Sequence, residues 1–228
     1  MHLLKPNNMK SNMYDGVITW NPLGGECPHK CGYCSTNNLK RFPGVKAKYS
    51  GPLCLYPGYP KETNKTVFVC AQNDLFAKEV PFEWIGEIIS RCRVVDNTYL
   101  FQSKNPERMK EFAPHFPDKT ILCTTIETNR IYPQMGNTVS PIERSKAMLS
   151  HVLAGFITQI TIEPIMDFDL DEFAELIYYT TPNQVNIGAD SKRNNLPEPS
   201  KEKVLALIAE LEKFTVVKQK SNLARLLK

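Results

Sequence analysis

A chain of 228 residues that is 42% hydrophobic and 23% charged can bury one enzyme-sized core, and this composition excludes the disordered, collagen-like and low-complexity classes. Its 28 basic and 24 acidic side chains leave a net charge of +4, which permits an anionic partner without requiring one. Apolar runs no longer than a strand exclude a membrane span and a membrane partner. The opening MHLLKPNNMK has no apolar stretch of signal length, so a cytoplasmic setting is expected. Seven cysteines in a reducing compartment are not expected to form structural disulfides.

In chain order, Gly16 to Trp20 is the first strand candidate. A cysteine-bearing loop follows over residues 24–36, then an irregular basic segment over 35–64. Between Ser35 and Lys61 that segment carries Lys40, Arg41, Lys46, Lys48 and Lys61 with no acidic residue. Over 65–214, short β-branched runs alternate with helix-length amphipathic stretches, the pattern of βα units on a parallel sheet. The predicted strands are Thr66 to Cys70, Thr98 to Gln102, Thr120 to Ile126, Phe156 to Ile162 and Gln184 to Ile187. Runs such as TVFVC read as strands covered on both faces.

Helix signals separate them. Pro81 to Val94 and Asp169 to Tyr179 are amphipathic. Asn105, Pro106 and Glu107 place a cap, a first-turn proline and a first-turn acid ahead of Arg108 to Phe112. Ser140, Pro141 and Glu143 form a capping box. Ser200 precedes Lys201 to Phe214, where Val204, Leu207, Ile208 and Leu211 make a stripe. The last residues, 215–228, read as a basic tail with Lys218, Lys220, Arg225 and Lys228. One α/β domain of six βα repeats over 1–228 is expected, as an open doubly wound sheet or a partial barrel. Both place ligands at the carboxyl ends of the strands.

The run GGECPHKCGYCS spaces Cys27, Cys31 and Cys34 as C-x3-C-x2-C, while Cys54, Cys70, Cys92 and Cys123 are scattered. Three thiolates on one short loop supply one ligand fewer than a closed tetrahedral zinc or four-iron site needs. A zinc completed by His29 or a distant cysteine is one reading, and unrelated buried cysteines another. The spacing, with Tyr33 just before the third cysteine and a strand just before the loop, resembles the signature of the radical SAM superfamily. That resemblance implies a partial (β/α)6 TIM-type barrel with parallel strands. It implies a [4Fe-4S] cluster on Cys27, Cys31 and Cys34 with S-adenosylmethionine (SAM) chelating the fourth iron. An electron from a donor such as flavodoxin or ferredoxin would cleave SAM to a 5′-deoxyadenosyl radical that abstracts hydrogen. His29 then reads as a loop residue beside the cluster. The stretches WNPLGGEC, VFVCAQNDLF, VPFEWI, FQSKNPERM, ITIEPIMD and VNIGADS are similar to blocks of a phage-associated branch of that superfamily. In that branch the cysteine loop is usually longer.

Polar residues at strand ends are candidate SAM and substrate contacts, and the resemblance adds Tyr33 on the cofactor side. Gln72, Asn73 and Asp74 lie where superfamily members hold the methionine amino group, although Asn73 and Asp74 could equally cap the turn into Leu75 and Phe76. Ser103 and Lys104 follow; Lys104 reads as a partner for a methionine carboxylate or substrate phosphate, or as a solvated surface lysine. Thr124, Thr125 and Glu127 are placed for ribose hydroxyls, with Thr125 and Glu127 on one face. Glu163 follows an apolar strand and requires a donor to bind, which makes it, with Lys104, a catalytic candidate. Asn186 and Asp190 are further candidates. Basic residues interleaved with Phe42, Tyr49, Tyr56 and Tyr59 favour a nucleic acid or nucleotide substrate, with Lys40, Arg41, Lys46 and Lys48 as phosphate contacts. A protein or small-molecule substrate, or a zinc-stabilised nucleic-acid-binding module without catalysis, are the alternatives.

Overall fold

The computed structural model describes residues 16–192 and 194–228, so the MHLLKPNNMK opening lies outside the described residues. Strand β1 (Val17–Trp20) leads into the short β2 (Leu23–Gly24), the cysteine loop, helices α1 (Ser35–Leu39) and α2 (Pro43–Lys48), and β3 (Cys54–Leu55), which pairs antiparallel with β2. The repeating part then runs β4 (Thr66–Val69), α3 (Phe82–Val94), β5 (Thr98–Gln102), a 3-10 helix (Pro106–His115), β6 (Thr120–Thr125), α4 (Pro141–Leu153), β7 (Ile157–Ile162), α5 (Leu170–Tyr179), β8 (Gln184–Ile187), α6 (Lys201–Leu211) and β9 (Val216–Gln219).

Seven strands form one parallel sheet in the order β1-β4-β5-β6-β7-β8-β9, the chain order itself. It curls into the expected partial TIM-type barrel. Register brings the carboxyl ends level: Trp20 pairs with Val69, Val69 with Phe101, Gln102 with Cys123, Thr125 with Thr161, and Ile162 with Ile187. Strand alternation divides the residues between two faces. Val67, Val69, Tyr99, Phe101, Leu122, Ile160, Ile162, Val185 and Ile187 belong to the core under the helices. Phe68, Leu100 and Cys123 form a separate cluster. Phe101 packs between Phe76 and Phe116 with ring centroids 6.1 and 5.0 Å away, so truncating it to alanine would cost roughly 3–5 kcal/mol.

The fold departs from these expectations in four places. The sheet has a seventh strand, β9, inside what reads as a basic tail; it is a four-residue edge strand with alternating exposure, too short and too polar to register as a run. The segment after Asn105 is a 3-10 helix, with Pro106 at its start and Pro114 inside it, where an α-helix would lose a hydrogen bond. Helix α6 ends at Leu211, before Phe214. The irregular segment 35–64 holds α1, α2 and β3. The capping box at Ser140 forms as expected, in both directions.

Candidate active site

The level strand ends enclose a cavity of about 530 Å³. Cys27, Cys31, Cys34, Tyr33, Gln72, Asn73, Ser103, Lys104, Thr125 and Glu163 all line it, as do His29, Asp74 and Asp190. Residues from positions 17 to 220 therefore share one wall system, and nearly every strand-end candidate is brought together.

The cysteine loop is held from several sides. His29 Nε2 lies 2.8 Å from Asp74 Oδ2. Asp74 also accepts from Ser103 Oγ at 2.7 Å, Lys104 N at 2.7 Å and Phe76 N at 2.9 Å. Asp74 thus caps its own turn and ties the loop to the ends of β4 and β5. Burial pushes this carboxyl up, but the hydrogen bond and charge of His29 outweigh it and the net shift is downward. Burial pulls His29 down and Asp74 pulls it up more strongly, so its net shift is upward. On the far side, Gly32 N donates to Gln134 O at 2.8 Å and Asn137 N to His29 O at 2.7 Å. That approach needs Gly136, which has φ +67°, and where a Cβ would come 2.2 Å from His29 O.

All three thiols are free, and burial, then Asp74, pushes Cys27 up to about 12. Burial also raises Cys31, against the pull of Lys104. Among the described residues no three His, Cys, Asp or Glu side chains close on one ion-sized point. Tetrahedral zinc needs sulfurs roughly 3.8 Å apart, from Zn–S bonds of about 2.3 Å. Cys27, Cys31 and Cys34 all line the same cavity, and three thiolates are the donor type by which iron–sulfur clusters are held, so the donor set fits such a group. Cys70 also lines the cavity.

Glu127 departs from its expected place. It is fully buried and absent from the cavity wall, its carboxylate turned to cations, with Oε2 in an ion pair but accepting no hydrogen bond. Oε1 accepts from Tyr33 OH and Lys104 Nζ, and Oε2 lies 2.9 Å from Arg144 Nη1. Lys104 Nζ also donates to Tyr33 OH at 2.9 Å and sits 4.8 Å over that ring. Lys104 is therefore a wall residue with a carboxylate partner, not a solvated lysine. Complete burial pushes the Glu127 carboxyl up, but Arg144, then Lys104, outweigh it and hold it at about 2.

Glu163 finds the donor it requires in the tail. Lys220 Nζ binds both its oxygens, at 2.7 and 2.5 Å, and Asn222 Nδ2 donates at 3.1 Å. Gly188 makes room for it, since a Cβ there would come 2.9 Å from the Glu163 carboxyl. Thr125 accepts from Gln102 Nε2 at 3.0 Å. Gln72 meets Thr36 Oγ1 at 3.0 Å through Oε1, and Asn73 donates to Gly25 O at 3.1 Å. Asn186 is fully buried, accepts from Gln184 at 2.8 Å and does not reach the cavity wall. Asp190 reaches the wall, but its carboxylate closes a local turn by accepting from Lys192 N at 3.0 Å and Asn194 Nδ2 at 2.7 Å.

Sequence reasoning missed Arg144, Lys220 and Asn222. For Arg144 a signal exists: with Pro141, Ser145, Met148 and His151 it falls on the buried stripe of α4. Lys220 and Asn222 have none, because only the β8–β9 pairing brings them to the site.

Two of the four expected phosphate contacts have partners within the chain. Lys48 Nζ donates to Asn21 O at 2.6 Å and lies 4.5 Å over Tyr56, and Lys40 Nζ is 3.8 Å from Glu26. Arg41 stacks 4.9 Å over Phe42, which is exposed, as are Tyr56 and Tyr59. Tyr49 is buried.

No protein-family model matches the sequence, and no curated protein matches it. Solved structures do. A variant spore photoproduct lyase with bound S-adenosylmethionine and dinucleoside spore photoproduct superposes with a TM-score of 0.64 at 13% identity, over 92% of this chain and 78% of that one. A variant of the same lyase with the dinucleoside alone gives 0.61 at 13%, over 86% and 74%. SuiB of Streptococcus suis bound to S-adenosylmethionine gives 0.55 at 8%, over 90% and 50%. The chain shares the half-barrel fold of these proteins.

Proposed function

We propose that this protein is a radical SAM enzyme acting on a nucleic acid or nucleotide. The carrying observation is that Cys27, Cys31 and Cys34 open into the cavity at the carboxyl ends of a parallel half-barrel, a fold shared with proteins that bind S-adenosylmethionine. Cys27, Cys31 and Cys34 would hold a [4Fe-4S] cluster. Bound there with SAM, and reduced by a flavodoxin or ferredoxin, it would supply a 5′-deoxyadenosyl radical for hydrogen abstraction.

The chain's own residues do the rest. Asp74 and Gly136 fix the cysteine loop through His29, and Gln72, Asn73, Ser103 and Thr125 offer hydrogen bonds to the amino acid and ribose parts of SAM. Lys104 provides positive charge for a carboxylate, and Glu163 lies on the same wall to orient the cofactor or a substrate donor group. Exposed Phe42, Tyr56 and Tyr59 beside basic side chains support a polymer that stacks its bases. Spore photoproduct lyase, of similar fold, is seen with a dinucleoside photoproduct, which favours the same class of substrate here.

The test is anaerobic reconstitution followed by reduction. Four irons with matching sulfide and release of methionine and 5′-deoxyadenosine from SAM are expected. Stoichiometric zinc without sulfide overturns the reading in favour of a zinc-stabilised binding module.

A further inference from the structure

Arg144 heads the fully buried side chains by volume. An arginine with no contact with water is retained against its desolvation, which a leucine on the same helix stripe would not suffer. Its Nε and Nη2 find no hydrogen-bond acceptor, so it is the Glu127 pair at 2.9 Å, with the Thr125 carbonyl, that takes up this group. Arg144 is not on the cavity wall. It reaches the wall through Glu127, whose other oxygen takes Lys104 and Tyr33, both on the wall, Tyr33 lying between Cys31 and Cys34.

The charges do not cancel. Glu127 alone would neutralise Lys104; with Arg144 behind it, the group of three keeps one net positive charge beside the cysteines. Asp74, which accepts from Lys104 N, has His29 as its own partner at 2.8 Å, and Glu163 on the same wall has Lys220.

We infer that Arg144 is a positioning residue that keeps the Lys104–Glu127–Arg144 group beside the cysteines one charge positive, so that this group favours the negative charge a thiolate-bound cluster gains on reduction. The inference rests on the cluster reading above. Three thiolates on a cluster core of charge +2 sum to −1, and one added electron makes −2. A fixed positive charge in a low-dielectric wall stabilises the second state more than the first.

The experiment is a midpoint-potential titration of the reconstituted full chain, followed by electron paramagnetic resonance without substrate. Arg144→Met brings the group of three to zero charge, Glu127→Gln to +2, and the double variant and Arg144→Lys both return it to +1. The expected order is Glu127→Gln highest, then wild type, Arg144→Lys and the double variant together, and Arg144→Met lowest. Equal potentials throughout, or a double variant as low as Arg144→Met, overturn the inference in favour of simple packing. Circular dichroism shows which variants fold. If Arg144→Met does not, the near-isosteric Glu127→Gln decides alone: a rise supports the inference and no rise overturns it. A wild-type chain that takes up no iron and sulfide refutes the cluster reading and this inference with it, a failure distinct from a loaded cluster whose potential ignores these charges.

Discussion

Lys220 grips both oxygens of Glu163, at 2.7 and 2.5 Å, from the residue that follows the edge strand β9. The C-terminal segment is thereby part of the cavity wall. Each side chain is less than a fifth exposed, so solvent screens the pair only in part.

Removing one partner leaves a charge with poor solvation. Lys220→Met should lower stability by about 2 kcal/mol in urea unfolding, and the double variant Glu163→Gln/Lys220→Met should recover part of that loss. A double variant that loses the sum of the two single losses would show that the pair is not coupled.

Glu127 should give the protein a specific acid sensitivity. Its carboxyl, ordinarily at 4.5, is held at about 2 in the folded state. A depressed value stabilises the fold fully above the unfolded value and loses that contribution as pH falls from about 4.5 to about 2. The contribution at neutral pH is about 3 kcal/mol. Glu127→Gln should be less stable than wild type at pH 7, with the difference shrinking toward pH 2; a difference constant across that window would be inconsistent with this origin.

Cys70 shares the cavity with the three cysteines of the loop, but it lies outside their spacing and burial pushes its thiol up to about 12. Alanine at Cys27, Cys31 or Cys34 should each abolish retained iron and sulfide, whereas Cys70→Ala should keep them. Loss of iron in Cys70→Ala, with the fold intact by circular dichroism, would move the ligand set.

With Lys40 and Lys48 partnered, Arg41 and Lys46 are left as the proposed phosphate contacts in the segment after the cysteine loop. Binding to single-stranded nucleic acid should therefore show a log affinity against log salt slope of about −1.4, at roughly −0.7 per contact. Replacing both by Gln should flatten it while SAM cleavage persists. A wild-type chain that binds no DNA or RNA at low salt would turn the substrate toward a protein or small molecule.

The alternation of β-branched runs with amphipathic stretches was enough to place six parallel strands, because strand and helix periodicity are local properties of neighbouring residues. The cysteine spacing and the capping box at Ser140 were legible for the same reason: their partners lie within a few residues. The strand-end candidates were legible as a group because parallel βα units put every carboxyl end on one side. What each of them does was not. Glu127 is expected from its strand position to face a ligand, yet Arg144, 17 residues on in the helix behind it, withdraws it into the core, and the donor that Glu163 requires is Lys220, which follows a seventh strand. Ion pairs between distant segments are decided only when the sheet curls and its edges are assigned. Four residues of an edge strand carry too little burial to mark themselves in the sequence, yet their register decides which cation reaches the site.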